Sequence, residues 1–178
     1  SKAWRKMVAK VIAGKTIRGI LNYNESKVQE GKALCLYAHN FSAEVDRLTF
    51  KGKLDTFFEH TSRNTKVKTN AIHISLSFDK EDKLNQELLK DIASKYLDKI
   101  GFGNQPFLVY QHFDAAHPHL HIATTNVQLD GKRIDLHNIG KNASGEARRE
   151  LEVEFGLIKA DGRKLQNQFL KPIDLAAA

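Results

Sequence analysis

From residue 71 to 78, apolar and polar side chains alternate one for one. Ile72, Ile74, Leu76 and Phe78 form one set; His73, Ser75 and Ser77 form the other. Such alternation marks a strand with one face in a core and one outside it. Met7–Ile12 also reads as a strand. Gly14-Lys15-Thr16 then opens a helix to about Glu30, with Thr16 as N-cap and Gly31 just past the end. Its apolar stripe is Ile17, Ile20, Leu21 and Val28. Leu34–Tyr37 is a short apolar run. Residues 43–61 read as helical through Val45, Leu48, Leu54, Phe57 and Phe58. Lys80–Ile100 is an amphipathic helix closed by Gly101, and a last helix covers about Ser144–Phe155, before Gly156.

Between these helices lies His112-Phe113-Asp114-Ala115-Ala116-His117-Pro118-His119-Leu120-His121. It holds four of the chain's 8 histidines. On strands, His119 and His121 share a face, and so do His112 and Asp114. A tight antiparallel hairpin centred between Ala116 and His117 sets 112 opposite 121 and 114 opposite 119. Opposed residues project to the same side, so three imidazoles and one carboxylate converge. The other parity holds Phe107, Val109, Gln111 and Phe113, then Leu120, Ile122, Thr124 and Asn126. It is mostly apolar and is expected to face the core. Asp130-Gly131 marks a turn after Val127. The whole predicts an α+β fold. An antiparallel sheet of about five strands has helices packed on one face and a histidine metal site on the other, beside His73, Ser75 and Ser77.

With 178 residues, the chain is long enough for one domain with a real core. That domain is expected to span residues 1–178 and to be the N-terminal part of a longer protein. No apolar run approaches a membrane span, and no signal-peptide core follows Ser1. The single Cys35 excludes a cysteine cage or an intramolecular disulfide and fits a reducing cytoplasm. The net charge of +7 is uneven. Residues 1–68 carry 14 Lys and Arg against 6 Asp and Glu, and the remainder carries 14 against 15. The whole excess lies in the first third, which points to a phosphate-rich partner.

Imidazole is the commonest metal ligand among side chains. Surface placement explains one lone histidine better than a cluster this dense. His112, His119 and His121 are therefore expected to bind one divalent ion and to leave coordination positions open, as catalytic sites do. Imidazoles suit zinc, manganese, nickel or copper. Asp114 could orient a ligand imidazole. His117 competes for a place in the set.

Four tyrosines are candidates for a nucleophile. Tyr96 falls within the stripe of Leu88, Leu89, Ile92 and Ile100 and reads as core. Tyr23 lies about 120° from the centre of its helix's stripe, where packing explains a large aromatic less well. Lys27, one turn on, would favour its phenolate. Tyr110 shares the histidine face and is a rival. Tyr37 has no clear place. No tyrosine follows His121.

These residues resemble a plasmid or transposon mobilisation relaxase of the HUH endonuclease superfamily. The likeness is nearest to MOBP-type nickases and the mobilisation proteins of Bacteroides-type elements. His112-x-Asp114, then His119-Leu120-His121, then Asn126 and Asp130-Gly131-Lys132 resemble the family's third motif. Ile20-Leu21-Asn22-Tyr23 matches its first and Leu76-Ser77-Phe78 its second. Arg148-Arg149-Glu150-Leu151-Glu152, with Phe155-Gly156-Leu157, extends the likeness over roughly residues 7–157.

The resemblance implies a tyrosine that attacks single-stranded DNA at a transfer origin and forms a 5′-phosphotyrosyl link. It assigns Tyr23 and Asp114 to catalysis and His112, His119 and His121 to the metal. The ion would be Mn²⁺ or Mg²⁺, with Zn²⁺ or Ni²⁺ possible in a purified sample. Accessory mobilisation proteins are further partners. A relaxase has its tyrosine before the histidines, as here; rolling-circle initiators have it after. Two other readings stay open. His117-Pro118-His119-Leu120-His121 also resembles a histidine-triad nucleotide hydrolase, and a basic DNA-binding module with a structural metal needs no catalysis.

Overall fold

The computed structural model describes residues 7–137, 139, 143–157 and 174–177. Five strands form an antiparallel sheet: β1 (Val8–Gly14), β2 (Ala33–His39), β3 (Ala71–Ser77), β4 (Phe107–His112) and β5 (His119–Thr125). A sixth, β6 (Asp174–Ala177), pairs parallel with the outer edge of β1, giving the order β2-β4-β5-β3-β1-β6. Four helices complete the fold: α1 (Ile17–Gln29), α2 (Phe50–Thr61), α3 (Gln86–Lys99) and α4 (Ser144–Glu154).

The predicted α+β class and the antiparallel sheet hold. The expectation of helices on one face does not. One face carries Ala9, Val11, Ile72, Ile74, Leu76, Val109, Leu120 and Ile122, buried with residues of α3 and α4. The other also has a core, in which Ile17 and Leu21 of α1 and Leu54 and Phe57 of α2 pack on Leu108, Tyr110 and Ala123. The cause is legible in Phe107-Leu108-Val109-Tyr110. A strand apolar at every position is buried on both sides and must be covered on both.

Two predicted helices changed their bounds for local reasons. Residues 43–61 split into a 3-10 turn at Val45–Arg47 and α2, because the Thr49 side chain caps α2 by accepting from Gly52 N at 3.0 Å. Within α2, Phe57 is buried and its neighbour Phe58 is 40% exposed, so Phe58 is not the core contact expected. The predicted 80–100 helix begins at Gln86, capped by Asn85. Thr16 caps α1 as predicted, accepting from Gly19 N at 3.3 Å, and Gly31 leaves the helix at φ 76°.

The α3–α4 face supplies the first test. Ile122 is fully buried at its centre. Ile122→Ala is expected to cost about 2–5 kcal/mol of unfolding free energy in a denaturant titration. A loss below about 1 kcal/mol would mean that the residue is not core.

Candidate active site

The β4–β5 pairing sets His112 opposite His119 and Tyr110 opposite His121. This is two residues from the register that a tight hairpin would give, because residues 113–118 form a longer loop. An even shift leaves every side chain on its face. The inferred convergence therefore survives the wrong register, except for two residues that leave the strand. Phe113 is 54% exposed in the loop rather than core-facing. Asp114, also in the loop, pairs with Lys27 Nζ at 2.5 Å instead of bonding to an imidazole.

The three predicted ligands do meet. The rings of His112 and His121 lie 3.9 Å apart between centroids, and those of His119 and His121 5.4 Å apart. His119 Nδ1 faces His121 Nε2 at 3.4 Å. A fourth imidazole joins from β3, with His73 Nε2 3.0 Å from His121 Nδ1. Burial, reinforced by neighbouring imidazoles, holds His112 and His73 down at about 4. His121 and His119 are lowered for the same first reason. The rings are therefore neutral at pH 7 and keep lone pairs that a cation can use. Among the described residues no three side chains stand as a ready metal cage. The fit to a divalent ion rests on this donor set: adjacent neutral imidazoles with facing nitrogens.

Tyr23 reaches the same spot from α1. Its ring stacks on His112 at 5.8 Å with 21° between planes, and lies 6.0 Å from His73 and 6.1 Å from His121. It is 46% exposed, as its place off the apolar stripe requires. The Lys27 ammonium lies 5.8 Å from the ring centroid, but its ion-pair partner is Asp114. The other tyrosines are otherwise engaged. Tyr110 is fully buried and donates its hydroxyl to Glu25, which also pairs with Lys53 at 2.6 Å. Burial, with the nearby Cys35 and Glu25, pushes its phenol far above the usual range. Tyr96 is buried with its hydroxyl on Ser144. Tyr37 shares a hydrogen bond with His39 on β2.

A family model for the MobA/VirD2-like relaxase nuclease domain matches residues 23–157. The chain belongs to this relaxase family. A structure solved in work on the molecular basis of vancomycin resistance transfer in Staphylococcus aureus shares the fold at TM-score 0.50 and 12% identity. It covers 89% of this chain, which in turn covers 97% of that one. No curated protein matches at a significant level. The relaxase match begins at Tyr23 and contains all four site histidines, which favours it over the histidine-triad hydrolase.

Two residues of this cluster are missed by the sequence pattern. His73 was placed on the correct face, but its contact with His121 depends on how β3 pairs with β5. Asn24 is fully buried beside His112. Its signal was present: it lies seven residues after Ile17, four after Ile20 and four before Val28, a polar residue inside an apolar stripe.

The basic surface has a definite feature as well. Lys15, Lys68, Phe58, Thr61 and Asn70 are among the residues lining an open cleft of about 380 Å³. It sits just before the start of α1, which lies about 9 Å along the helix from Tyr23 at 1.5 Å per residue. Phe58 is 40% exposed there. Elsewhere, Phe41 packs edge-on against Phe57, and Trp4 lies outside the described residues. No helix among the described residues is long and apolar enough to cross a membrane.

Proposed function

We propose that this domain nicks single-stranded DNA at a transfer origin, with Tyr23 as nucleophile. The observation that carries the reading is the half-exposed Tyr23 ring stacked over a cluster of neutral imidazoles. The Tyr23 oxygen attacks a backbone phosphorus, the P–O3′ bond breaks, and a 5′-phosphotyrosyl link and a free 3′-OH result. The proton lost by the phenol balances the one gained by the 3′ oxygen. The link keeps the energy of a diester, so the reverse reaction can rejoin strands. His112, His119 and His121 would hold the ion, and His73 supports His121 from behind. A divalent ion held there would polarise the scissile phosphate and offset its developing charge. Asp114 fixes Lys27 beside the tyrosine, where the cation can face incoming phosphate.

The test uses a degenerate pool of labelled single-stranded oligonucleotides with Mn²⁺. An SDS-stable protein–DNA adduct is expected, and sequencing the captured DNA gives the origin. A folded, DNA-binding protein that forms no adduct would leave only a binding module.

The cleft supports the substrate class. Lys15 and Lys68 supply charge for phosphate, and Phe58 offers a stacking surface. Log affinity for single strands should fall steeply with log salt. Lys15→Ala and Lys68→Ala should each lower the slope by about 0.7, the share of one phosphate contact. An unchanged slope would remove the cleft from the DNA path.

A further inference from the structure

Asn24 follows the tyrosine in sequence and is fully buried. Its carboxamide is held at both ends. Nδ2 donates to the Ile20 carbonyl at 3.0 Å, and Oδ1 lies 2.7 Å from His112 Nε2. The chemistry of these atoms leaves one arrangement. A carbonyl can only accept, so the NH₂ end must face Ile20; a flipped amide would set two oxygens against each other. The oxygen end therefore faces His112, and it too can only accept. The proton between them belongs to His112 Nε2. A neutral imidazole carries one N–H, so the lone pair of His112 is on Nδ1. The pair His121–His73 is not decided in this way, because either ring can donate.

We infer that Asn24 is a positioning residue that fixes His112 as its Nε2–H tautomer and so makes Nδ1 the atom available to a metal ion. The same contact ties the turn of α1 that bears Tyr23 to one of the proposed ligands. A ligand imidazole with its second nitrogen held by an outer partner is a recurring device in metal sites, and removing the partner costs about 10–100-fold in affinity. Here the partner is next to the proposed nucleophile, so one side chain sets the position of both. The tautomer assignment stands on hydrogen-bond chemistry alone; its consequence for metal rests on the function proposed above.

The experiment separates the two. In metal-free protein labelled with ¹⁵N-histidine, long-range ¹H–¹⁵N correlation reads the tautomer of His112, assigned by the signals lost in His112→Gln. The wild type is expected to show Nε2–H. Asn24→Leu keeps the volume but removes the acceptor, so the preference should disappear and Mn²⁺ affinity by calorimetry should drop about 10–100-fold. Asn24→Asp keeps an acceptor toward His112 but sets its second oxygen against the Ile20 carbonyl, so it should keep the Nε2–H tautomer and recover only part of the affinity. Nδ1–H in the wild type, or an unchanged tautomer in a folded Asn24→Leu protein, would overturn the proposal. Should Asn24→Leu not fold, the wild-type spectrum and Asn24→Asp still decide it. Nε2–H in the wild type without Mn²⁺ binding would sink the metal reading and leave the tautomer assignment intact.

Discussion

Tyr23→Phe is expected to abolish the covalent adduct and to lower nicking below about one-thousandth of wild type, a loss of at least about 4 kcal/mol of transition-state stabilisation. Only a hydroxyl is removed. The ring is 46% exposed and stacks on His112, and phenylalanine keeps that stack. Stability should therefore change by less than about 0.5 kcal/mol, and single-strand affinity should hold. Tyr110→Phe is expected to behave in the opposite way. It leaves Glu25 with the buried Lys53 as partner but removes the phenol that also donates to its carboxylate. Stability should fall by about 1–3 kcal/mol, with nicking retained by the folded fraction. Gel analysis of the adduct beside thermal unfolding separates the two tyrosines. Near-normal nicking by Tyr23→Phe would give the role to another residue.

The second large effect concerns the imidazoles. His121 touches His73, His112 and His119, so it is the centre of the donor set. His121→Ala is expected to lower Mn²⁺ affinity by more than a hundredfold and nicking by about a thousandfold, the several kcal/mol that a bound cation supplies to a phosphoryl transition state. Chelation of the wild type should give the same nicking loss, restored by added Mn²⁺. Single-strand affinity should change only a few fold in both cases, since Lys15 and Lys68 line the separate cleft by the start of α1. Full nicking in chelator would show that the histidines serve another purpose.

Much of this arrangement could be read from local rules. Parity placed His112, His119 and His121 on one face even though the predicted register was two residues off, because the period of a strand forgives an even slip. The helical period placed Tyr23 off its stripe and Tyr96 within one. What failed depended on distant contacts or on competing caps. Thr49 started one predicted helix late, and Phe58 lines a cleft rather than the core. The loop after β4 took Phe113 and Asp114 out of the strand, and Lys27, 87 residues away, captured the carboxylate. Helices on both faces followed from an apolar run in β4 that was read for one parity only. His73 joined the cluster through strand pairing, which a single strand's pattern does not specify.

The most direct measurement is to digest the SDS-stable adduct and locate the nucleotide by mass spectrometry. The account predicts a 5′-phosphonucleotide on the peptide containing Tyr23, in single-stranded DNA and with Mn²⁺ present. A nucleotide on a histidine, or on the peptide containing Tyr110, would contradict it.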